Sequence, residues 1–175
     1  MAIDAGRFKD EIVPVVKQRN GQSLVVDTDE QPVPMPAPRA GASGSTFDRL
    51  GSVTAGNASS INDGAAAVMM MSEAKAQELN LPYWPIRAFA SVGLTLRSWG
   101  LRQCTATRRC LERVGWQLAD VDLIEANLEA FAAQALSVGK MLEWDERRVN
   151  VNGEAIALGH PIGASGPPNS GFAGA

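Results

Sequence analysis

From Gly51 onward the chain alternates short apolar runs with stretches whose apolar residues recur at helical spacing, and this alternation restricts the possible folds more than any other feature. A Gly-, Asn- and Ser-rich loop leads into the continuous apolar run Ala65 to Met71, short enough for a buried strand. Ser72 then stands where a helix cap belongs, ahead of a helix with Ala74, Ala76 and Leu79 roughly on one side. "YWPIRAFASVG" reads as a second strand, "TATRRCLERVG" as a helix stopped by Gly115, and "DVDLIEAN" as a strand ending at Asn127. "EAFAAQALSVGKML" reads as another helix, and the last apolar run, "EAIALGHPIGASG", turns into a Gly-rich loop. Strand followed by helix, repeated, predicts a layered α/β domain.

The flanking sequence adds two elements. "IDAGRFKDEIVPVVKQRNGQSLVVDTDEQP" predicts a small hairpin turning at Asn20-Gly21. "QPVPMPAPRAGASGSTF" places prolines at alternate positions from Pro32 to Pro38, which sustains neither a helix nor a central strand and predicts an extended, mobile segment. With 175 residues the chain has enough length for one core, or for pieces of two. Its 16 basic and 19 acidic residues leave a net charge of −3 with no long block of either sign, so neither nucleic acid nor an anionic membrane is an expected partner. No apolar signal core or membrane span is visible, and the expected location is the cytoplasm.

Cys104 and Cys110 lie six residues apart without clustered histidines, so no metal site is expected. They read as a reduced, structural pair. A catalytic thiol is the alternative, with the basic neighbours of "QCTATRRC" lowering its pKa but no adjacent general base. The chain's one histidine, His160, is wedged between Gly159 and Pro161. Imidazole titrates near neutrality, so His160 is a candidate general base or hydrogen-bond donor, and the glycines around it also suit an anion-binding turn. The plainer alternative is a histidine that fills a turn. Asn127 sits where a buried strand gives way to a helix, the usual position of ligand-contacting residues in α/β folds. Its amide suits either capping the helix from Glu129 onward or holding a water against a substrate carbonyl.

"SVTAGNASSINDGAAAVMMMS", "DLIEANLEAFAAQAL" and "VNVNGEAIALGHPIGASG", in that order, resemble the second half of a thiolase, most similar to the biosynthetic acetyl-CoA acetyltransferase branch, and the resemblance extends to "AGRFKDEIVPV". It implies part of the layered αβαβα thiolase fold, mainly its C-terminal half. Residues 1–60 would finish a loop domain that binds coenzyme A, with 32–46 irregular; 61–83 would be the last strand and helix of the N-terminal domain, and 84–175 a truncated C-terminal domain. The implied activity is condensation of two acetyl-CoA to acetoacetyl-CoA and the reverse thiolysis, by a homo-oligomer using coenzyme A thioesters as substrates and no cofactor. Ala55, Ala58 and Ser59 would touch coenzyme A and Phe131 would wall the pocket. Asn127 and His160 would be catalytic, the imidazole serving as base for a nucleophilic thiol and, with a water held by Asn127, as donor to an enolate-like oxygen.

The resemblance also implies what is missing. The family's nucleophilic cysteine lies upstream of these motifs and its second cysteine downstream of "GHPIGASG", while neither Cys104 nor Cys110 sits in a matching motif. The expected chain is therefore inactive alone. A non-catalytic thiolase fragment, a 3-ketoacyl-CoA thiolase of fatty-acid β-oxidation and an unrelated α/β binding module are the other readings. Residues 32–46, 94–106 and 167–175 break the family pattern, Leu128 is an extra residue within "N-E-A-F", and Glu154 replaces a glycine. The abrupt edges of the three stretches predict frame changes in the encoding DNA. Translating the other two frames across codons 32 to 46 is expected to restore an apolar helical pattern; its absence from both would refute the idea.

Overall fold

A computed structural model describes residues 2–32, 44–93, 95–127, 131–153, 155–164 and 170–174, the last by backbone alone. The hairpin forms as the sequence predicts: β1 (Val15–Arg19) pairs antiparallel with β2 (Gln22–Val26), Val15 facing Val26 and Arg19 facing Gln22. Asn20 and Gly21 both take left-handed backbone, at φ 52° and 76°, the arrangement whose twist matches that of paired strands. Helix α1 (Glu73–Glu78) starts at Ser72, whose hydroxyl accepts the Lys75 N–H at 3.3 Å. Its one buried residue is Ala76.

The larger packed region is organised by helix α2 (Arg102–Val114). A 3-10 turn over Leu96–Leu101 runs into it, and Gly115 ends it in left-handed backbone at φ 72°. One side of α2 meets β3 (Ile86–Ser91): Ala90 and Cys110 are buried together, flanked by Ala88, Val114 and Trp116. Arg109 and Arg113 donate to the Ser91 and Phe89 carbonyls, fastening helix to strand. Another side meets α3 (Ala132–Leu142), with Cys104, Val138 and Ala126 at the centre of a second cluster that includes Leu101, Ile124, Leu142, Trp144 and Val149. Trp144 lies so close to Gly139 that a Cβ there would stand 2.5 Å from the indole nitrogen. Helix α4 (Ala155–Leu158) is one turn long, and β4 (Ser170–Gly174) pairs antiparallel with β3, with Phe89 opposite Phe172 and Ser91 opposite Ser170.

Several expectations need correction. The apolar run Ala65 to Met71 is neither a strand nor buried: Val68, Met69 and Met70 are 85%, 85% and 74% exposed. Its composition suits a central strand, but among the described residues no neighbouring strand pairs with it. "DVDLIEAN" likewise contributes only one parallel bridge, Ile124 to Val149, because a ladder requires a longer partner. The helix expected over "TATRRCLERVG" begins earlier, at Arg102, with a 3-10 turn over Leu96–Leu101 ahead of it, so the expected break at 94–106 is largely helical. Among the described residues the strands form two sheets, each two-stranded and antiparallel. The segment 33–43, which covers most of the proline run, and residues 128–130, 154 and 165–169 lie outside the described residues, so the expectations on Leu128 and Glu154 do too.

Both cysteines are buried and neither is in a disulfide, in keeping with a structural reading. Among the described residues no helix is long and apolar enough to cross a membrane. A chain that exposes Val68, Met69, Met70, Trp84 and Phe89 is expected to associate in water. Its thermal transition should be broad and shift with concentration, and light scattering should show growing particle size. A sharp, concentration-independent monomeric transition would contradict this.

Candidate functional site

The loop from Ser52 to Asn62 is built by one carboxamide. Asn57 accepts the Thr54 N–H on Oδ1 at 2.7 Å and donates from Nδ2 to the Ser52 carbonyl at 2.8 Å, so a single side chain closes both arms of the turn. Buried Thr54 adds a hydroxyl that accepts the Gly56 N–H at 3.3 Å. The main chain of Asn57 then reaches outward, its carbonyl accepting the Ala132 N–H at 3.0 Å, and Ala58 forms an antiparallel bridge to Phe131.

Three residues further on the same strand-like segment meets the Gly-His-Pro turn. Ile61 forms a parallel bridge to His160, whose N–H points at the Ser60 carbonyl (3.2 Å) and at the Asn62 side-chain oxygen (3.1 Å). Ser60 Oγ donates to that same oxygen at 2.6 Å. Gly159 has φ 92°, and a Cβ on it would collide with the Asn62 carboxamide, so both backbone shape and space demand glycine there. Pro161 packs against Gly64, where a Cβ would lie 2.6 Å from the proline ring.

Asn127 is placed by a separate device. Ile124 donates to the Arg148 carbonyl at 2.8 Å, and Asn150 donates back to the Ile124 carbonyl at 2.9 Å. The Asn150 side chain then continues the ladder, accepting the Ala126 N–H at 2.7 Å and donating to the Ala126 carbonyl at 3.1 Å. It does so from left-handed backbone at φ 46°, which asparagine tolerates better than most residues. The approach is braced from below by Arg148, which donates to the Ala119 and Val121 carbonyls, and by Asp145, which grips Arg147 with both oxygens. The two hydrogen bonds from Arg147 hold the Asp145 carboxyl at about 2.

The structure thus brings Ala58, Phe131 and His160 onto one connected frame, with Ser59 half-buried between the paired positions. Ala55 is exposed on the turn that precedes them. Asn127 follows directly after the residue held by Asn150, and the helix-capping alternative for it fails, since α3 starts at Ala132 with Phe131 in the capping position. Sequence reasoning missed Asn57, Asn62 and Asn150. The available signal was asparagine recurring beside Gly and Ser in the very motifs that carry the site, where a short amide bonds its own backbone. Burial pushes the Cys104 thiol up, against a smaller opposite pull from Arg108, which disfavours its thiolate, and Cys110 is equally enclosed.

Fold and site together define an α/β protein whose polar side chains gather on loops at the ends of interrupted strands. Residues 81–169 match the C-terminal domain of thiolase and residues 1–74 its N-terminal domain. The chain belongs to the thiolase family. It is 77% identical over 167 residues to a probable acetyl-CoA acetyltransferase of Escherichia coli K12, covering 94% of this chain and 42% of that relative. Among solved structures it resembles the Bacillus anthracis acetyl-CoA acetyltransferase, with TM-score 0.85 and 43% identity, and human mitochondrial 3-ketoacyl-CoA thiolase, with TM-score 0.84 and 38% identity. Both matches cover 94% of this chain and 42% of the other, so the chain spans well under half the length of these relatives.

Replacing Asn150 by Ala is expected to remove two hydrogen bonds to Ala126 at a cost of roughly 2 kcal/mol, taking each at about 1 kcal/mol. Amide exchange at Ala126 should accelerate by at least about tenfold, while Asn150→Asp, which keeps the acceptor, should give a smaller change. Equal exchange in all three proteins would show that the amide ladder does not hold this segment.

Proposed function

We propose that this chain supplies one wall of an acetyl-CoA acetyltransferase active site, acting on acetyl-CoA, acetoacetyl-CoA and coenzyme A without a cofactor. The observation that carries the reading is the convergence of three distant stretches: the 54–62 loop bridges Phe131 at one end and His160 at the other. On this reading Ala55, Ala58 and Ser59 contact coenzyme A and Phe131 lines the acyl pocket. His160 accepts the proton of a nucleophilic thiol and donates to the thioester oxygen as it becomes enolate-like. Asn127 holds the water that donates beside it. In thiolysis the thiolate attacks the ketone of acetoacetyl-CoA, the carbon–carbon bond breaks, and the departing acetyl-CoA enolate takes up a proton at carbon. The acetyl group left on sulfur then passes to coenzyme A.

The same reading divides the chain at residues 60 and 83 into the end of the loop domain, the end of the N-terminal domain and part of the C-terminal domain, within a cytoplasmic homo-oligomer. The buried thiols of Cys104 and Cys110 leave the chain by itself without an activated nucleophile, so it is inactive alone. The close match to the human 3-ketoacyl-CoA thiolase, 0.84 against 0.85 in TM-score, favours a degradative thiolase as the second reading.

The purified 175-residue chain, free of host thiolase, is expected to show no thiolysis of acetoacetyl-CoA. Substituted for the matched segment of the Escherichia coli relative, it should support turnover that falls by about 10²–10³-fold in Asn127→Ala and further in His160→Ala. Turnover by the lone chain that disappears in His160→Ala would mean that Cys104 or Cys110 is the nucleophile. A folded but inactive chimera would overturn the acetyltransferase reading, and preference for longer 3-ketoacyl thioesters would select the degradative one.

A further inference from the structure

We infer that Asn62 is the positioning residue for His160, fixing where the imidazole stands relative to the 54–62 loop. This rests on the proposed role of His160, although the placement itself is a matter of geometry. The side-chain oxygen of Asn62 gathers two donors, Ser60 Oγ at 2.6 Å from its own loop and the His160 N–H at 3.1 Å from a turn 98 residues away in sequence. One carboxamide oxygen therefore joins the loop proposed to meet coenzyme A to the turn proposed to do the chemistry.

The surrounding backbone leaves this oxygen few substitutes. The His160 N–H also points at the Ser60 carbonyl, but at 3.2 Å, and the bridge at that point is a single pair and not a ladder. Gly159 turns at φ 92° directly against the Asn62 carboxamide, at a separation that no other residue at 159 could share. With glycine on one side and proline on the other, the His160 main chain has little freedom, and the Asn62 oxygen meets its N–H at 3.1 Å. Ser60 donates its hydroxyl to the same oxygen and so holds the carboxamide in the rotamer that reaches His160. The residue acts through His160 and is not itself assigned contact with substrate.

His160 is the chain's one histidine, so its imidazole gives a single set of NMR signals that require no assignment by elimination. The experiment compares the unmodified chain, Asn62→Ala and Asn62→Asp in a stabilising osmolyte, reading the imidazole resonances and the amide exchange of His160 against Leu111 in α2. Loss of the acceptor in Asn62→Ala should speed His160 exchange by about five- to tenfold and shift the imidazole resonances while leaving Leu111 unchanged. Asn62→Asp keeps an oxygen in place, so protection of the His160 N–H should be restored. Unchanged His160 signals in Asn62→Ala, equal acceleration at His160 and Leu111, or unprotected His160 in the unmodified chain would each overturn the inference. An inactive chimera would sink the acetyltransferase reading while leaving these spectra to decide the position of His160.

Discussion

The main-chain bonds that leave the 54–62 loop in two directions hold the functional frame together. At Asn57 the carbonyl takes the first free N–H of α3, and at Ser60 to Asn62 the loop takes the N–H of His160. A helix start and a tight turn each expose donors with no local partner, and a loop carrying small polar residues can satisfy both at once. The consequence is that stretches centred near residues 58, 131 and 160 share one frame although each is too short to form a sheet of its own.

Behind that frame the packing is divided. Helix α2 presents Cys110 to β3 and Cys104 to Ala126 and α3, so the same helix supports the strand pair and the segment that ends in Asn127. In contrast, the β1–β2 hairpin and the Ala65 to Met71 run are mostly exposed. Among the described residues the packed clusters lie within 86–149, and the exposed apolar residues of 65–71 belong to neither.

What could be read in the sequence depended on how local its cause was. The Asn20-Gly21 turn, the Ser72 cap and the Gly115 stop are each dictated by one or two residues and stand where the pattern places them. The strand at 65–71 was misread because an apolar run declares a wish for burial but cannot supply the neighbour that buries it. His160 and Asn127 were legible from their residue types and positions, and the 54–62 loop only as a motif. The asparagines that tie them together were not, since a bond from Asn62 to His160 spans 98 positions and leaves no periodic trace.

The placement of the two thiols on α2 has a chemical consequence of its own. Six residues of helix put their Cα atoms about 9 Å apart along the axis at 1.5 Å per residue, beyond the reach of a disulfide. Oxidation therefore cannot staple the helix to itself, and each sulfur answers separately to the opening of its own surroundings. Modification of Cys110 would register parting of helix from strand pair, and modification of Cys104 would register loosening beneath Asn127. The helix carries two native gauges, one for the scaffold and one for the floor of the site.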